Sequence, residues 1–120
     1  MKEETNISED RMQPFIKQLN YYLDILTKFT IWIKEKINDS KDDASAASND
    51  YLKVLGLVAT AHAWIKVLEA SFKDYDNNKD FYEDKIQTAN FYFNRVLPRA
   101  ESYFKTATTG SKYIMNFKFN

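Results

Sequence analysis

Few residues in this chain have chemistry to offer. His62 is the only histidine. Positions 58, 59, 65 and 66 around it are Val, Ala, Ile and Lys, so no carboxylate sits one helical turn away, and metal ligation from this segment is unsupported. A hydrolytic triad would need His62 as base for a nucleophile held on a strained turn, and no such turn is written in the sequence. A packed or interface histidine is the expectation. Asp74, Asp76, Asn78 and Asp80 alternate like the opening of a calcium loop. Lys79, however, replaces the glycine of its sharp turn, and Lys85 stands where the bidentate glutamate belongs, so the stretch reads as a solvated connection between helices. No glycine-rich turn follows a strand to cradle a nucleotide phosphate, and the scattered carboxylates read as helix surface. No catalytic, cofactor-binding or metal-binding residue is assigned.

The elements that would position any site are helices. With only two Gly and two Pro in 120 residues, turns are scarce and long helices with short connections are the default. A chain of this length buries enough surface for one core without metal or disulfide, and it has no cysteine. Lys plus Arg and Asp plus Glu balance at 17 each, which gives no overall field to draw nucleic acid or anionic lipid. The acidic, polar start MKEETNISEDRM is no signal peptide. A cytoplasmic protein with no nucleic-acid or membrane partner is expected.

The central stretch runs from Tyr51 to Phe72 and carries no charge between Val54 and Ile65. That uncharged span stops short of the roughly 18 apolar residues needed to cross a bilayer. Tyr51, Val54, Leu55, Val58, Ala61, Ile65, Leu68 and Phe72 share one face at 3.6 residues per turn. Leu52, Gly56, Ala59, Ala63 and Ala70 make a second, mostly small stripe opposite. A helix apolar nearly all round is expected to be enclosed on several sides, as the middle member of a bundle.

Residues 1–10 lack apolar periodicity and read as a disordered lead-in, with the folded domain over 11–120. The first helix is predicted from about Asp10 to Asn38, with Pro14 near its start and Phe15, Leu19, Tyr22, Leu26, Phe29, Ile33 and Ile37 facing inward. Tyr21, Ile25 and Trp32 line up beside that face. Either this helix packs against two neighbours or that seam awaits another polypeptide. The acidic, serine-rich residues 38–50 connect to the second helix. The third helix is predicted from Phe81 to about Ala107, capped by Asp80 with Glu83 and kinked or split near Arg95 by Pro98. Phe91 stands on its far face beside Arg95 and Arg99. Gly110 is expected to stop the helix, leaving the tail as a short fourth helix folded back over the bundle or as a segment ordered only against a partner. The fold class is all-α, an antiparallel up-and-down bundle of three long helices plus a short C-terminal segment. Aromatic content of 16% exceeds what a minimal bundle needs, and the surplus suits a partner.

The third helix carries the most specific text. Phe81-Tyr82, Lys85, Ala89, Phe91-Tyr92-Phe93 and Arg95-Val96-Leu97-Pro98-Arg99 together resemble the C-terminal helical extension of the large acyl-CoA dehydrogenases. Tyr51-Leu52, Leu55-Gly56, His62-Ala63-Trp64 and Thr109-Gly110 extend the resemblance from about Met12 to Phe117. It implies a helical domain appended to an enzyme that oxidises an acyl-CoA thioester with FAD. The family's flavin site, acyl-CoA cleft and catalytic glutamate lie in the dehydrogenase body, so none of them carries over. The expected role is a non-catalytic accessory domain packing on a dehydrogenase body or a second subunit. A piece of an oxidoreductase and a self-assembling homo-oligomer are the alternatives. Tyr21, Ile25, Trp32, Phe91, Arg95 and Arg99 are the expected partner contacts.

Overall fold

Helix formers fill nearly the whole chain, and only short interruptions break it. The computed structural model describes the backbone of residues 2–119 and the side chains of residues 10–109. Helix α1 spans Lys2–Asp39 and α2 spans Lys41–Lys73; a single 3-10 turn, Tyr75–Asn77, leads to α3 over Lys79–Phe91. A π-helical segment, Tyr92–Val96, then passes through Leu97 and Pro98 into α4, Arg99–Phe119. The fold is all-α, and no strand occurs among the described residues.

Contacts between side chains fix how the rods lie. Arg11 stacks on Phe72 and Tyr75, while Thr30 shares a hydrogen bond with Tyr51. Numbers rise on α1 as they fall on α2, the order of antiparallel neighbours. Phe15 meets Phe93 and Phe29 meets Phe104, so the third rod runs with α1 and against α2. Phe29, Val54, Leu68, Phe93 and Leu97 are sealed at the centre. Ala61, Ala89 and Ala100 are equally buried, and their small side chains let the helix backbones come close.

Several boundaries differ from those the periodicity suggests. Helix α1 begins at Lys2 rather than near residue 10, with Glu3, Glu4 and Glu9 in its opening turns, where acidic residues suit a helix N-terminus. The side chains of residues 2–9, most of the expected lead-in, lie outside the described residues. Pro14 consequently falls inside α1 instead of in its first turn, where it removes one backbone donor. The first connection is the single residue Ser40, whose hydroxyl accepts from the Asp43 N–H at 3.3 Å. Asn78, not Asp80, caps α3, accepting from Phe81 N–H at 3.3 Å.

The break before Pro98 is present and takes a specific form. Leu97 N–H donates to the Tyr92 carbonyl at 2.8 Å, a five-residue step, so the chain widens into a π turn where proline has no N–H to give. Gly110 does not close the helix, since α4 continues to Phe119. The expected short fourth segment is thus a continuation of α4, and its side chains lie outside the described residues.

Gly56 sits in the middle of α2 on an exposed surface, and a Cβ built there meets nothing within 4 Å. Gly56→Ala is expected to stabilise the protein by about 0.5–1 kcal/mol through reduced unfolded-state freedom and better helix propensity. An increase in denaturation midpoint with an unchanged m-value would register it.

Candidate functional site

Helix α2 is enclosed on one side only. Ala44, Ala47, Val54, Val58, Ala61, Ile65 and Leu68 point into the bundle. Leu52 is 61% exposed, Leu55 41% and Val67 37%, and Gly56, Ala59, Ala63 and Ala70 on the same side are exposed as well. The expectation of burial on several sides is therefore overturned for the outer stripe, and Leu55 leaves the core face assigned to it. A bundle of three rods covers only the inward arc of each, so an all-apolar helix keeps one side bare until something else packs on it. Leu52, Gly56, Ala59, Ala63, Val67 and Ala70 run as an uncharged strip for about 27 Å at 1.5 Å per residue.

The apolar part of α2 is longer than its charge-free span from Val54 to Ile65. An 18-residue window of α2 reaches a mean hydropathy of 1.3 with 28% of it buried, so by length and composition alone the helix could cross a membrane. The same helix supplies Val54, Val58, Ala61, Ile65 and Leu68 to the core.

The sequence-predicted contact residues are not brought together. Ile25 is buried in the core, and Trp32 is half-buried with its ring centre 6.2 Å from that of Phe29 and the Lys36 ammonium over its face. Tyr21 is exposed but donates a hydrogen bond to Glu101 Oε1 at 3.1 Å across to α4. Of the three, Tyr21 reaches across to α4, Ile25 is inside the core, and Trp32 packs along α1 against Phe29. Phe91 is 62% exposed, with Arg95 and Arg99 exposed on the same rod. Ile37 and Phe81, both assigned inward positions, are about half exposed at 51% and 49%, and the Lys85 ammonium lies over the Phe81 ring. His62 is exposed at the edge of the bare strip.

A second feature escaped the sequence reading. Where the π turn widens the third rod opposite Gly56, a groove of about 400 Å³ opens between α2 and α4, lined by Lys53, Gly56, Thr60, Tyr92, Arg99 and Tyr103. The Tyr92 hydroxyl donates to the Leu57 carbonyl at 2.5 Å, which locks its ring as one wall. Burial raises the Tyr92 phenol above its ordinary value.

That shift has a consequence at alkaline pH. A phenol held protonated in the fold contributes stability that is fully present below about pH 10 and is lost as pH rises through the folded value. Burial raises Tyr22 in the same direction. Denaturation midpoints should therefore fall from about pH 10 upward, and Tyr92→Phe should flatten that fall. The variant loses about 1 kcal/mol at neutral pH with its hydrogen bond.

Among the described residues no cluster of His, Cys, Asp or Glu could hold a metal ion, and every buried side-chain polar atom is hydrogen-bonded. The Asp74–Asp80 stretch is spent on the turn: Tyr75 donates to Glu83 Oε2 at 2.9 Å, raising its phenol, and Asn78 caps α3.

A family model described as Acetyl-CoA dehydrogenase C-terminal like matches residues 1–118. No curated protein and no solved structure matches the chain.

Proposed function

The chain belongs to the Acetyl-CoA dehydrogenase C-terminal like family, and on that premise we propose that it is a non-catalytic accessory domain, docking through the outer face of α2 on an acyl-CoA dehydrogenase body or a second subunit. One observation carries the reading: the uncharged strip from Leu52 to Ala70, with Leu52 61% exposed. Exposed apolar surface that is continuous over several helical turns marks an interaction site more often than chance placement does. Small residues at Gly56, Ala59 and Ala63 would let a partner helix or sheet approach the α2 backbone closely. Phe91, with Arg95 and Arg99, extends the contact on the third rod. Trp32 and Tyr21 contribute only the edges that α4 leaves open.

In such an assembly FAD and the acyl-CoA chemistry belong to the dehydrogenase body, and this chain shapes the complex. The balanced charge and absence of cysteine suit a cytoplasmic setting without nucleic acid. Sedimentation velocity on the chain alone, and mixed with an FAD-loaded acyl-CoA dehydrogenase body, tests the proposal. A stable complex with the body, or a concentration-dependent dimer of the chain, is expected. A strict monomer under both conditions overturns the reading, as does a purified chain that binds FAD and lets an acyl-CoA bleach it.

A further inference from the structure

The groove between α2 and α4 has a composition of its own. Its two charged side chains, Lys53 and Arg99, are both cationic, and no carboxylate lines it. The ion pairs among the described residues are Lys28 with Asp24 and Lys105 with Glu101, so neither Lys53 nor Arg99 has an acidic partner there. In a chain whose net charge is zero, two such cations on one concave surface make a local positive site. The Lys53 ammonium lies 5.0 Å from the Tyr103 ring centre, which holds it at the groove wall. The first amides of α4 are already bonded, Ala100 N–H to Leu97 O at 3.0 Å and Glu101 N–H to Pro98 O at 3.2 Å. The positive character therefore comes from side chains and not from a free helix end.

The shape is built by the backbone. Gly56 leaves the α2 side without a side chain, and the π turn over Tyr92–Val96 brings Tyr92 to the opposite wall. Tyr92 and Tyr103 supply ring surface, with Tyr92 fixed by its bond to the Leu57 carbonyl.

We propose that this groove binds the oxyanion of a phosphorylated small molecule, with Arg99 and Lys53 holding the phosphate and the ring of Tyr103 flanking the group it is attached to. A guanidinium fork matches two oxygens of one anion, and a second cation favours a doubly charged phosphate over a carboxylate. The open groove of about 400 Å³ has room for a phosphate and a small attached group. The site shares Gly56 and Arg99 with the proposed docking face but needs no partner chain, so it is tested on the chain alone.

The test is a titration of the full isotopically labelled chain with inorganic phosphate and with phenyl phosphate, at matched ionic strength, followed by amide chemical shifts. Saturable shifts confined to residues around Lys53, Thr60 and Arg99 are expected, tighter for phenyl phosphate. The K53Q/R99Q double variant, confirmed folded by its spectrum, should weaken binding at least about tenfold. Shifts that rise linearly without saturating overturn the proposal. So does saturable binding that the double variant leaves unchanged, or acetate binding as tightly as phosphate.

Discussion

Ala63→Glu will leave the bundle folded and remove its association with a dehydrogenase body or second copy. Ala63 is exposed near the middle of the bare α2 strip, so the glutamate side chain meets only water in the free chain. Its cost to folding should stay within about 0.5 kcal/mol, the range for surface changes away from special features. Once a partner covers the strip, the same carboxylate is buried without a cation opposite it. A buried unpaired charge costs several kcal/mol, so affinity should fall at least about a hundredfold. Gln87→Glu, exposed on α3, adds the same charge away from the strip and should change affinity little. Sedimentation velocity gives the association and chemical denaturation gives the stability. Association that survives Ala63→Glu would place the interface elsewhere.

Phe29→Ala should have the largest effect on stability. Phe29 is fully buried, and its ring lies 5.3 Å from Tyr51 on α2 and 5.4 Å from Phe104 on α4. It is the point where all three rods meet. Truncation removes buried apolar surface, leaves a cavity and breaks these aromatic contacts, which together cost about 3–5 kcal/mol. Domains of this size hold only about 5–15 kcal/mol in total, so the variant should show a populated unfolded fraction in mild denaturant. Phe91→Ala is the contrasting case. With Phe91 62% exposed, its folding cost should be within about 0.5 kcal/mol. Equal losses for the two variants would contradict the packing. Trp32 falls between them, since its half-buried ring touches Phe29, and its truncation should weaken folding as well as any partner contact.

The core was largely legible because period and burial agree: Phe15, Leu19, Tyr22 and Phe29 on α1, and Val54, Val58, Ala61, Ile65 and Leu68 on α2, are all buried. The family text in the third helix was legible for another reason, since Phe91-Tyr92-Phe93 and Arg95 to Arg99 are distinctive words. The outer side of α2 was misread because a helical wheel shows which side chains share a face and not how many neighbours the fold supplies. Ile25 flanks the predicted inward face and is nevertheless buried, for the same reason. Helix ends were the least legible. Ser40 and Asn78 both act as caps, but the sequence around each offers several Asp, Ser and Asn of equal fitness, and the choice is made by where the rods can reverse. The groove was invisible to pattern reading, since Lys53 and Arg99 are 46 positions apart in sequence and meet only through the fold.

The single-residue link at Ser40 makes a stiff hairpin of the two longest helices. Ser40 N–H is bonded back to the Lys36 carbonyl at 2.7 Å and its own carbonyl accepts from Ala44 N–H at 3.1 Å, so the joint has no slack in which one helix could swing away from the other. Whatever grips α2 from outside therefore also aims α1. The hairpin works as a bracket, and the information it passes on is an angle.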